Sequence, residues 1–161
     1  MNQFRLLAEQ GDPLAQFNIG VMYYQGQGVP QDYKEAIKWY RLAAEQGLAA
    51  AQCSLGLMYH EGKGVPQDFD EAMKWARLAA EQGNASAQSI LGGMYFLGQG
   101  VPQNFVHAHM WLNIAAENAE SDEQKKIIEM RNFVAENMTT SQIYKAQKLA
   151  EKCTENKFKG C

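Results

Sequence analysis

One spacing constrains this chain more than any other feature: like residues recur every 36 positions along most of its length. Gly11, Gly47 and Gly83 match, as do Ala15, Ala51 and Ala87, then Gly20, Gly56 and Gly92, then Tyr23, Tyr59 and Tyr95. The register continues through Gly26, Gly62 and Gly98, the strings VPQD, VPQD and VPQN, and Trp39, Trp75 and Trp111. A unit of this length holds one supersecondary motif and cannot bury its own apolar face, so several units must stack to make a core.

Start and stop signals divide each unit into helix A, a loop and helix B. Asp12 followed by Pro13 is an N-cap with proline at the first helical position, and it opens helix A. Gly26 supplies the left-handed residue that ends it. Pro30 cannot continue a helix, so GQGVPQ is a rigid connector. Asp32 then opens helix B; Asp32 with Glu35 and Asp68 with Glu71 have capping-box spacing, whereas Asn104 with His107 keeps only the cap. The recurring Gly20, Gly56 and Gly92 lie mid-helix, where glycine costs about 1 kcal/mol relative to alanine, so a facing helix B is expected to cross there. Ile19, Tyr23, Trp39 and Leu42 are expected to fill the space between helices, and the recurring tryptophans read as core.

The fold class expected is all-α, a right-handed α-α solenoid of helical hairpins closed by C-terminal capping helices. Residues 1–11 align with the tail of a helix B whose own helix A would lie upstream of Met1. Three repeats follow over 12–118 (about 11–46, 47–82 and 83–118), then capping helices and a tail over 119–161. After Glu117 the period is lost; Asp122 to about Glu136 and Gln142 to about Lys152 read as two more helices, the second opened by Thr139 with Gln142. With 46% hydrophobic and 20% charged residues, one compact folded unit is expected. A net charge of −3 offers no basic field for nucleic acid, and no apolar run reaches the roughly 20 residues of a membrane span. No charged-then-apolar leader opens the chain, which leaves the compartment undecided.

These recurring residues resemble the Sel-1-like repeat, a relative of the tetratricopeptide repeat. The likeness covers roughly residues 4–118; the third copy departs from it at Asn104 and Ala119. The stretch NMTTSQIYKAQKLAEKC looks like the end of bacterial proteins of this family. The resemblance implies a scaffold that takes a protein or peptide partner on a concave surface lined by helix A, with monomer as the favoured state. Bacterial members are often exported and act in host interaction, signalling or inhibition of partner proteins; the sharper expectation for this chain is an exported adaptor, inhibitor or immunity protein in the periplasm, at the surface or in the medium, and a cytoplasmic location stays open.

On that expectation the informative residues are the non-packing positions of helix A: Leu14, Phe17, Val21, Tyr24 and Gln25, then Ala50, Cys53, Leu57, His60 and Glu61, then Ser86, Ser89, Gly93, Phe96 and Leu97. Leu14, Phe17, Val21, Tyr24, Gln25, Leu57, His60, Glu61 and Phe96 are the candidate partner-binding set. The alternative is that they pack against the neighbouring helix A. Catalysis finds little support, and neither a cofactor nor a metal is implied. His107 and His109 are two apart on one helix and His60 stands alone. GQGVPQ lacks a P-loop lysine, and no serine has a lysine three residues on. A cysteine-rich branch of the family has been associated with β-lactam binding, which makes such an enzyme the competing reading, but this chain lacks the cysteine pair in every repeat. Cys153 and Cys161 flank the short polar stretch TENKFKG and are expected to form a disulfide, the alternative being two exposed thiols in a reducing compartment.

Overall fold

The computed structural model describes residues 2–161, with side chains from Phe4 onward. Among them the ordered elements are helices: α1 (Asn2–Glu9), α2 (Pro13–Gln25), α3 (Tyr33–Glu45), α4 (Ala49–Glu61), α5 (Phe69–Ala80), α6 (Ala85–Leu97), α7 (Phe105–Asn118), α8 (Ser121–Ala135) and α9 (Thr140–Glu155). In place of the single compact unit expected, the chain forms two, Met1–Trp75 and Ala76–Cys161. The physical reason is the repeat itself, because contacts in a stacked array run mainly between neighbours and no one core gathers the chain.

The helix signals act as the sequence indicates, with one correction. Asp12 accepts from the Ala15 amide at 2.7 Å, and Gly26 closes α2 in the left-handed region at φ 70°. Asp32 accepts from the Lys34 and Glu35 amides and so caps α3. The reciprocal half of its capping box is not made, because the Asp32 N–H donates to the Tyr23 carbonyl at 2.9 Å. Glu35 pairs with Lys38 instead. Asp68 repeats the pattern: its N–H goes to Tyr59 O, and Glu71 binds Lys74 and the Trp75 indole. A full capping box does form at Thr139 and Gln142, at the start of α9.

Within Met1–Trp75 the core gathers Ala36, Ile37, Tyr40, Ala43, Ala44, Ala51, Leu55, Met58 and Trp75, with a smaller cluster of Ala8, Ala15 and Ile19. Gly20 lets α3 come close: a Cβ there would lie 2.6 Å from the Tyr40 ring. Trp39 is half-buried, and Leu42 is 45% exposed, contrary to its expected place between helices. Leu42 lies on the outward row of helix B, as does Leu78 one period later.

Within Ala76–Cys161 the core gathers Ala108, Leu112, Ala115, Ala116, Ala119, Ile127 and Val134, and Trp111 is fully buried. Gly92 admits α7 as Gly20 admits α3, a Cβ there lying 2.6 Å from Leu112 Cγ. Both α8 and α9 pack on α7 rather than on each other. Cys153 and Cys161 are joined in a disulfide that loops the tail back, and Phe158 from that loop reaches Gly83.

A polar thread extends the repeat beyond where its apolar letters stop. Gln16, buried, donates from Nε2 to the Ala8 carbonyl, and Gln52 to Ala44, each at 3.1 Å. In the second unit Gln88 binds Ala80 at 3.1 Å and Gln124 binds Ala116 at 2.8 Å. All four bonds reach back eight residues, and the four glutamines are 36 residues apart, so α8 keeps the register of a helix A. The side chains joining each helix B to the next helix A follow suit. Arg41 binds the Tyr59 hydroxyl and Arg77 that of Tyr95, whereas at the last junction Asn113 accepts from Arg131 at 3.0 Å.

Candidate functional site

Helix A presents its non-packing face between consecutive hairpins, and the two units offer two versions of that face, related by 72 residues or two periods. In the first unit it is formed by α2 and α4. Leu14 stands 58% exposed at its start. Phe17 lies 5.5 Å from the Tyr40 ring, Tyr24 lies 5.3 Å from Tyr33, and Val21 packs against the same core; all three are partly buried. Leu57 is half-buried, and His60 lies 5.4 Å from the Phe69 ring. Gln25 and Glu61 are exposed.

Two of these residues are joined by one that the sequence did not single out. Lys63 pairs with Glu61 at 2.7 Å, donates to the Tyr24 hydroxyl at 3.2 Å, and stands over the Tyr24 ring. The hydrogen bond to Glu61, then that to Tyr24, holds the Lys63 ammonium above its ordinary pKa. The signal was available, because Gln27 and Gln99 occupy the matching offset in the other repeats and only the second carries a charge there.

In the second unit the face is formed by α6 and α8, and its character reverses. Gly93 takes the place of Val21, Leu97 that of Gln25, Glu129 that of Leu57 and Phe133 that of Glu61. Nothing lies within 4 Å of where a Gly93 side chain would begin. The result is an open apolar groove of about 460 Å³ lined by Gly93, Phe96, Leu97, Leu112, Glu129, Met130, Phe133 and Val134. Phe96 holds one wall together through Phe105 and Phe133, at ring separations of 5.6 and 5.7 Å. Leu97, Phe133 and Met130 remain 59%, 56% and 42% exposed. Of the candidate set only Phe96 lies in this groove; Gly93 and Leu97 join it from α6 and Leu112 from α7, while the far wall of Glu129, Met130, Phe133 and Val134 comes from α8, a helix that reads from the sequence as a cap.

The connector strings carry a second recurring glutamine. Gln31, Gln67 and Gln103 donate to the carbonyls of Tyr24, His60 and Phe96 at 2.8 to 2.9 Å and so hold each loop under the last turn of helix A. The histidines of α7 diverge, as their spacing suggests. His107 stacks on Tyr95 at 5.2 Å, while His109 is 4% exposed. Burial, with Lys145 and Arg77 near His107 and Arg131 near His109, holds both below the ordinary histidine pKa. Among the described residues no three His, Cys, Asp or Glu side chains gather as metal ligands, and no helix is long and apolar enough to cross a membrane.

Comparison with known proteins agrees with this geometry. The Sel1 repeat pattern matches residues 13–48, 49–84 and 85–119. The chain is similar to a protective antigen present in uropathogenic Escherichia coli strains and displaying an SLR fold, with 50% identity and a TM-score of 0.73. That match covers 74% of this chain and 26% of the antigen, so the chain spans about a quarter of that protein's length. It is also similar to a Sel1 repeat protein from Oxalobacter formigenes, with 38% identity and a TM-score of 0.68 over 79% of this chain and 96% of the other. No curated protein matches the chain. Three adjoining repeats, helical hairpins in both units and these two solved relatives agree: the chain belongs to the Sel1 repeat family and has its all-α solenoid fold.

Proposed function

We propose that this chain is a non-enzymatic module that binds a partner protein or peptide on the helix A faces of its repeats, as an exported bacterial adaptor, inhibitor or immunity protein. Sel1 repeats generally mediate protein–protein interactions. The observation that carries the reading to these faces is the fate of the side chains. The recurring residues are consumed in packing hairpins, while Leu14 and Leu97 on helix A stay more than half exposed. Exposed apolar side chains beside a groove are what partner segments cover. The disulfide between Cys153 and Cys161 supports an oxidising compartment, and likeness to a protective antigen fits export.

A displayed library of random peptides, selected on the oxidised chain, tests the placement. Selected peptides are expected to lose binding to Leu14→Asp and Leu97→Asp variants and to keep it on Leu42→Asp and Leu78→Asp, which alter the exposed row of helix B. The reverse pattern would assign recognition to helix B and overturn the reading.

A further inference from the structure

We infer that the groove between α6 and α8 is an interaction surface for a partner segment that places a bulky apolar side chain over Gly93 and a lysine or arginine against Glu129. This rests on the protein-binding reading above and names the partner's chemistry for one face.

Three observations carry it. The groove exists because of a deletion at one offset. Val21 and Leu57 put branched side chains where the third repeat has Gly93, and nothing within 4 Å fills the gap. A helix-interior glycine that touches nothing has no packing reason, unlike Gly92 beside it, and glycine there costs helix stability. The vacancy is the feature that distinguishes this position. Second, the walls are apolar and exposed together: Phe96, Leu97, Met130 and Phe133 face a space of about 460 Å³, which suits an aromatic or leucine side chain. At the matching offset in the first unit Met58 is 1% exposed, against 42% for Met130.

The third observation is charge. Glu129 is the single ionised side chain on the groove, and it makes no ion pair among the described residues. An acidic partner would bring like charge against the exposed Glu129, whereas a basic residue beside the apolar anchor gains both contacts. The cation of the first unit, Lys63, has no counterpart in the groove, since two periods on its offset is Ala135. Interfaces concentrate their affinity in an apolar anchor of this kind, and a charge at its rim selects among partners.

The test uses the full oxidised chain and the displayed peptide library on wild type, Gly93→Leu and Glu129→Lys. Gly93→Leu fills the groove from below and should melt at or above the wild-type temperature, so loss of binding cannot be blamed on unfolding. Peptides selected on wild type should pair an aromatic or leucine with a nearby lysine or arginine and bind Gly93→Leu at least tenfold more weakly. Selection on Glu129→Lys should shift the charge preference to acidic. Peptides indifferent to Gly93→Leu, or lacking any basic preference, would overturn the inference; if they still respond to Leu14→Asp, the broader reading survives and only this groove fails. If wild type sediments as a dimer that Gly93→Leu dissociates, the occupant is a second copy and the basic-partner assignment falls. If no peptide is recovered on any helix A face, both fall.

Discussion

The faces of α2/α4 and α6/α8 are the same stretch of repeat written twice, yet one closes on itself and the other stays open. In the first, Val21 and Leu57 occupy the middle and Lys63 joins Tyr24 to Glu61. In the second, Gly93 empties the middle, and leucine and phenylalanine replace the polar Gln25 and Glu61. The hairpin backbones are built alike, with the same glycine crossing and the same glutamine anchor in both units. The difference lies in the few side chains the repeat leaves unconstrained.

The largest effect should come from the feature the two faces share. Gly20→Leu and Gly92→Leu each drive a side chain into Tyr40 or Leu112, and each should destabilise by about 3 kcal/mol in chemical denaturation. Comparable losses would place the contrast between the faces in side chains alone. If Gly92→Leu were tolerated, α6 and α7 would have room to part, and the open groove would owe its width to a looser hairpin.

A smaller effect separates the units by pH. His107 and His109 are held below their ordinary pKa, so the folded protein resists protons that the unfolded chain accepts below about 6.5. Their contribution is fully present above that value and is lost as pH falls through it. Hydrogen exchange, corrected for intrinsic rates, should show amide protection of α7 falling between about pH 7 and pH 5.5. Protection of α3 should change less, since Glu35 and Ile37 stand at the matching offsets. Unchanged protection of α7 would mean that both imidazoles find water or a partner on protonation.

The smallest effect belongs to the closed face. Tyr24→Phe removes the hydroxyl that accepts from Lys63 but keeps the ring against Tyr33, so the melting temperature should not move. A clear drop would show that the hydroxyl locks the face shut rather than decorating it.

Most of the hairpin was legible because its geometry leaves few choices. A left-handed turn at Gly26 and a helix crossing at Gly20 each demand one residue type, and repetition exposes both. The buried Gln16, Gln52 and Gln88 recur just as plainly, and were passed over because glutamine is ordinarily a surface residue; only the eight-residue reach to a carbonyl gives it a reason to be inside. The groove was the least legible. Its far wall is Met130 and Phe133, in a helix where the glycine and tyrosine letters have become Ile128 and Arg131, so the letters that reveal the period are gone. The capping boxes failed for a non-local reason, because the Asp32 amide is claimed by a carbonyl in the preceding helix.

The exchange at the final junction also acts as an address. Arg41 and Arg77 of helix B each find a tyrosine hydroxyl on the next helix A, whereas at the last junction Asn113 meets an arginine, Arg131. During folding, α8 could try any helix B, since all present the same alanines and the same carbonyl for its glutamine. Docked one repeat too early it would set Arg131 against Arg77, two cations in a partly buried seam, and leave Asn113 without its donor. A chain made of near-copies thus carries one junction, Asn113 with Arg131, whose members are traded relative to the two before it.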